Sequence, residues 1–252
     1  MTNNNSKATR TGGQVLVDAL RINGVERAFC VPGESYLAVL DALHDAKDDI
    51  ELIVCRQEGG AAYMAEAYGK LMGKPGICFV TRGPGATNAS VGVHTAFQDS
   101  TPMILFIGQV ARDQVEREAF QEIDYRRMFG QMAKWVVEVD DAARLPELLS
   151  QAFHRATNGR PGPVVVALPE DMLTDLVDVA DAGPAQSIEP AASPAALEQL
   201  QSLIGQAQRP LVVLGGGGWS AEAVSDIREF IEKQNLPVAA SFRCQDLFNN
   251  TL

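Results

Sequence analysis

Glu58 is followed by Gly59 and Gly60 where an apolar run, LIVC at 52–55, gives way to an Ala-rich stretch, AAYMAEAYG at 61–69. A carboxylate at a helix start is favourable by a few tenths to about 1 kcal/mol through the helix dipole alone. Two glycines there cost roughly 1 kcal/mol each in helix stability, which makes sense where a ligand approaches the backbone closely. A carboxylate at the edge of an apolar pocket also suits proton transfer. A second group, TRGPGATNAS at 81–90, joins a Gly83-Pro84-Gly85 turn to backbone N–H groups able to face a ligand. It lacks the Gly-Lys-Ser/Thr ending of a P-loop and reads equally as a well-made strand-to-helix turn. In a third, QDSTP at 98–102 with AFQE at 119–122, Asp99 and Ser100 suit local turn capping. Phe120 and Gln121 lie on a long polar stretch and suit substrate or cofactor contacts. The fourth is LGGGGWSA at 214–221, where Gly216, Gly218 and Ala221 fit the dinucleotide pattern G-x-G-x-x-A. The acidic ribose ligand expected about 20 residues on is missing, which disfavours a nicotinamide dehydrogenase. The 4 Cys and 3 His are scattered, so buried thiols and no metal site are expected.

These groups need a scaffold. Helical spacing at 12–23 ends at Gly24, and RAFC, ELIVC, GICFVT and MILFIG follow as apolar runs separated by helix-like segments. Runs without polar alternation suit strands covered on both faces of a parallel sheet, so the fold class is α/β, doubly wound and mostly parallel. KWVVEV, a helix at 144–157 and PVVVAL at 163–168 continue the pattern. Residues 1–11 read as a disordered tail, 12–175 as the first domain and 176–194, dense in Asp, Ala, Pro and Gly, as a linker. Residues 195–252 read as the beginning of a second, Rossmann-like α/β domain, with too few strands to close a core.

Composition narrows the function. The 252 residues are 46% hydrophobic with a net charge of −11, which argues against disorder and against binding nucleic acid or an anionic membrane. No apolar run approaches the roughly 20 residues of a membrane span, and a cytoplasmic protein is expected.

Taken together, the motifs resemble the thiamine diphosphate-dependent enzymes of the acetolactate synthase group. The resemblance rests on VPG at 31–33, RQEGGAAYMAEAYG at 56–69, VTRGPGATNA at 80–89, FQDSTP at 97–102, AFQEID at 119–124 and GRPGPVVVALPEDM at 159–172. It implies a pyrimidine-binding domain followed by the start of a central domain. Glu58 would hydrogen-bond N1′ of the cofactor's aminopyrimidine and favour the imino tautomer that activates the thiazolium carbon. A 2-oxo acid such as pyruvate would then lose CO₂, and the remainder would add to an acceptor carbonyl. By the same resemblance Pro32, Gly33, Pro84 and Asn88 line the pyrimidine ring. Ser100 and Gln121 lie near cofactor and substrate, with Phe120 beside them and Lys134 at the substrate entrance. Arg160, Gly215, Gly216 and Gly217 match FAD-binding positions. A homodimer or homotetramer with the site between subunits is implied.

Two residues depart from the family pattern: Glu34 stands where a second glycine is usual after Pro-Gly, and Arg82 where serine is usual. They point to an altered donor or acceptor pocket. The Gly-Asp-Gly…Asn motif that holds Mg²⁺ and the diphosphate does not occur in these residues. The expectation is therefore an N-terminal part, inactive alone. The alternative is a naturally short, non-catalytic association or cofactor-binding module.

Overall fold

A computed structural model of the chain describes residues 9–188 and 191–249. They divide into two compact units, with the boundary between Ser187 and Ile188.

The first unit opens with a two-residue strand, β1 (Arg10–Thr11), and helix α1 (Gly12–Ile22). Thr11 and Gln14 form a reciprocal capping box that starts the helix. Then β2 (Arg27–Cys30), α2 (Leu37–Asp45), β3 (Glu51–Val54), α3 (Glu58–Met72), β4 (Gly76–Val80), α4 (Pro84–Asp99) and β5 (Met103–Gln109) alternate. A short helix α5 (Tyr125–Phe129), β6 (Trp135–Glu138), α6 (Leu145–Thr157), β7 (Pro163–Pro169) and β8 (Leu176–Val177) complete the unit. Six strands form one sheet in the order β3-β2-β4-β5-β7-β6, every pairing parallel.

The uninterrupted apolar runs are explained by burial on both faces. Ile77, Phe79, Ile104, Phe106, Val164 and Val166 join the cluster formed with α1, α2 and α6. Their neighbours Cys78, Val80, Leu105, Ile107, Val165 and Ala167 join the opposite cluster, built on α3, α4 and α5. That second face is lined by small residues: Ala61, Ala62 and Ala65 on α3, and Ala86, Ala89 and Ala96 on α4. At Gly92 the two helices touch, since a Cβ there would stand 2.5 Å from the Cβ of Ala62.

Two segment readings differ from the structure. Arg10 and Thr11, read as part of a tail, pair antiparallel with Val177 and Leu176, read as linker. Residues 1–8 lie outside the described residues. The segment after 176 is anchored to the first unit. Arg10 bonds Asp181 at 2.8 Å, the Ala185 N–H donates to Asn23 Oδ1, and Val177, Val179 and Ala185 pack on the core. The apolar residues that anchor it are interleaved with aspartates and prolines, and that composition masks them.

The second unit comprises α7 (Pro194–Gln206), β9 (Val212–Leu214), α8 (Ala221–Gln234) and β10 (Val238–Ala240), with β9 and β10 parallel. Helix α7 escaped the sequence reading although Ser193 caps it and Pro194 opens it, a standard helix start. Among the described residues, no helix is long and apolar enough to cross a membrane.

Candidate functional site

The strand order sets the carboxyl ends of β3, β2 and β4 side by side. The segments leaving those ends carry Glu58, Pro32-Gly33 and Gly83-Pro84 respectively. Open parallel sheets bind ligands along this edge. Gln57 caps α3, its side chain accepting from the Gly60 N–H at 2.8 Å, and this leaves the Glu58 carboxylate half-buried at the helix start. Helices α3 and α4 start from the same edge and pack together, so Asn88, one turn into α4, reaches Glu58. Its Nδ2 donates to Oε2 at 2.9 Å. Among the described residues Oε1 accepts no hydrogen bond. Pro32, Pro84 and Asn88 are exposed, and the site is an open face of this unit.

The turn after β4 is pinned from several sides. Thr81 Oγ1 and Ser35 Oγ are 2.9 Å apart. Gly83 has φ +50, and a Cβ on it would lie 2.7 Å from the Gln121 Cβ and 2.8 Å from the Gln121 carbonyl oxygen. Only glycine fits both conditions. The Gly83 N–H donates to the Tyr125 hydroxyl oxygen at 2.9 Å. Burial pushes the Tyr125 hydroxyl up to about 12, so it stays protonated. Gln121 itself has a left-handed backbone, φ +66, as do Glu116 and Glu118. The Glu122 carboxylate supports that conformation by accepting from the N–H groups of Glu116 and Ala119 at 2.7 and 3.2 Å.

Arg82, flagged in the sequence only as a departure, is buried in this turn. Its Nη2 bonds Glu34 Oε1 at 3.1 Å, its Nη1 bonds Glu170 Oε2 at 2.9 Å, and its Nε donates to the Phe120 carbonyl at 3.1 Å. The two unusual residues are thus partners. The signal was their joint departure; Glu170 lies in the motif at 159–172, but nothing in that motif marks it as their partner.

A model described as "Thiamine pyrophosphate enzyme, N-terminal TPP binding domain" matches residues 10–128, and one for the central domain of the same enzymes matches 197–252. The chain belongs to the thiamine pyrophosphate enzyme family. It is 38% identical to the acetolactate synthase large subunit of Parasynechococcus marenigrum (strain WH8102), over 97% of this chain and 41% of that protein. It is 36% identical to the acetolactate synthase isozyme 2 large subunit of Escherichia coli (strain K12), over 92% of this chain and 42% of that one. With the large subunit of Lactococcus lactis subsp. lactis (strain IL1403) identity is 35%, over 92% and 41%. The chain therefore spans about two fifths of the length of the curated relatives it matches.

Within this thiamine pyrophosphate enzyme chain, not every nominated residue gathers at Glu58. Pro32, Gly33, Pro84, Asn88 and Gln121 lie on the segments just described, and the Phe120 side chain is 73% exposed. Ser100 follows the far end of α4, which at 1.5 Å per residue is about 24 Å long. There Arg160 donates to Ser100 Oγ at 2.7 Å and to the Phe97 and Gln98 carbonyls. Lys134 precedes β6 at the same, amino end of the sheet. Its ammonium donates to the carbonyls of Arg155 and Asn158, capping the end of α6. Burial, then the charge of Arg155, lowers its proton affinity. Within one copy of the chain these three residues are therefore remote from Glu58. In the second unit Gly215, Gly216 and Gly217 form the turn between β9 and α8. Gly216 and Gly218 are left-handed there, and the Trp219 indole donates to the Gly215 carbonyl at 3.1 Å. Among the described residues no group of three or more His, Cys, Asp or Glu side chains could hold a metal ion.

Proposed function

We propose that this chain supplies the pyrimidine-binding half of the active site of an acetolactate synthase-like enzyme. That enzyme decarboxylates a 2-oxo acid such as pyruvate and joins the remainder to an acceptor carbonyl. The carrying observation is Glu58. One carboxylate oxygen is fixed by Asn88 and the other, at the ligand edge of the sheet, has no partner among the described residues. That donor set fits an aminopyrimidine, whose ring nitrogen in its protonated form offers one N–H to such an oxygen. Thiamine diphosphate, when bound, supplies the electron sink for the decarboxylation. Glu58 holds or gives up a proton at its Oε1, Asn88 orients it, and Pro32, Gly33 and Pro84 present apolar and bare backbone surface to the ring. Gln121, packed on Gly83, borders the same turn.

The rest of the reading follows from the open face. Leu37 and Val54 are each 61% exposed beside it, which supports a second subunit covering the site in a homodimer or homotetramer. Mg²⁺ and the diphosphate would be held by residues other than these, and the 252 residues alone would turn over nothing. For FAD the support is one-sided. The Gly215–Gly218 turn offers backbone N–H groups at the start of α8, whereas Arg160 is already engaged with Ser100. Four free thiols suit a reducing, cytoplasmic setting.

The test is proton exchange at the cofactor's reactive carbon in the full-length protein. Glu58→Gln should slow it by about 100-fold or more, the contribution of a positioned acid–base group. Exchange at the wild-type rate would reject the assignment.

A further inference from the structure

The Arg82 guanidinium is the junction of four strand ends. It leaves the carboxyl end of β4 and reaches Glu34 beyond β2, Glu170 beyond β7, and the Phe120 carbonyl in the loop beyond β5. All three guanidinium nitrogens are used, each on a different segment. The Arg82 side chain is 9% exposed, while those of Glu34 and Glu170 are 69% and 41% exposed. The cation is therefore buried beneath two accessible carboxylates.

This arrangement has a definite consequence for the loop at 116–122. Three of its non-glycine residues hold left-handed backbone conformations, a state that persists only when surroundings impose it. Glu122 ties the loop to itself and the Arg117 N–H donates to the neighbouring Gln114 carbonyl at 3.3 Å, while the contacts that reach it from the end of β4 are Arg82 on the Phe120 carbonyl and Gly83 against Gln121. We propose that Arg82 is a positioning residue, oriented by Glu34 and Glu170, that locks the Phe120–Gln121 segment over the turn beside Glu58 and so sets the grip on the acceptor substrate. The kinetic part of this proposal rests on the function proposed above; the locking of the loop does not.

Amide hydrogen exchange on the 252-residue chain tests the lock without reference to activity. Arg82→Gln should speed exchange across 116–122 by about tenfold, the factor expected when one charge-assisted hydrogen bond is lost. Exchange in β4 and β5 should stay at the wild-type rate. Should Arg82→Gln fail to fold, Glu34→Gln, which alters an accessible side chain and leaves Glu170 to balance the guanidinium, should speed exchange across 116–122. Unchanged exchange at 116–122, or a uniform rise over the whole unit, overturns the proposal. In the full-length enzyme the same variants should raise KM for the acceptor about tenfold and lower kcat less than about threefold, with Arg82→Lys recovering part of the loss. An equal fall in kcat with KM unmoved also overturns the positioning role. If Glu58→Gln left proton exchange intact, the functional reading would fail while the loop measurement still decided the lock.

Discussion

Gly92→Ala tests whether the bare helix contact is what places Glu58 beside Asn88. The added Cβ would lie 2.5 Å from Ala62 Cβ, 2.8 Å from its carbonyl carbon and 3.0 Å from its oxygen. Two of those atoms are backbone, so no side-chain rotation relieves them. Reaching ordinary contact, 3.4 Å or more, requires α3 and α4 to part by about 1 Å. Overpacking of this kind costs about 1–3 kcal/mol, against a gain of up to about 1 kcal/mol from the better helix propensity of alanine. The balance is a loss on the order of 1–2 kcal/mol, or about 2–4 °C in Tm for each kcal/mol in a unit of this size. Urea unfolding followed by the fluorescence of Trp135, in a Trp219→Phe background, reports the first unit alone. Gly205→Ala on α7, where nothing lies within 4 Å, isolates the propensity gain and should stabilise the second unit slightly. The same parting of α3 and α4 would stretch the 2.9 Å Asn88–Glu58 bond. A Gly92→Ala variant as stable as wild type would refute the reasoning.

Two further outcomes follow from buried or paired carboxylates. Glu66, 7% exposed, accepts from Thr101 Oγ1 at 2.9 Å, so Thr101→Val should cost about 1–3 kcal/mol by leaving a buried acceptor unpaired. Glu66→Gln, which keeps an acceptor, should cost less; the reverse order in urea titrations contradicts the pairing. Asp171 is partly desolvated, which raises its affinity for a proton. The Arg112 guanidinium and N–H outweigh this and hold the carboxyl below its ordinary value. A depressed carboxylate stabilises fully above its unfolded value, about 4, and the contribution fades as pH falls through the folded one. Amide exchange at 110–115 should therefore be protected equally at pH 7 and 5, apart from the intrinsic pH dependence, and lose protection only below about pH 4. Arg112→Ala should remove that acid step.

The sheet was legible because each strand is a short apolar run and each intervening segment is helical in its spacing, signals that are local. The place of Glu58 at a helix start beside the strand ends was legible too, since two adjacent glycines there cost helix stability that the carboxylate's favourable dipole interaction only partly offsets. Legibility failed where function depends on pairs distant in the chain. Ser100 and Glu58 both sit in motifs of the family, yet a 16-residue helix carries Ser100 to the opposite end of the sheet. Lys134 reads as a cation available to a substrate, and only the fold shows its ammonium on the last carbonyls of α6. Glu34 and Arg82 show the converse. Each alone is an awkward charge beside the Gly83 turn, one a carboxylate where the family pattern has glycine, the other a guanidinium to be buried. Placed just beyond the ends of the adjacent strands β2 and β4 they neutralise each other, and Glu170 completes the shell. A buried guanidinium is tolerable only with such partners. Without Glu34, the buried Arg82 would keep Glu170 as its one carboxylate partner among the described residues. The two departures are therefore one structural feature of this site, reached through a contact 48 residues long in sequence.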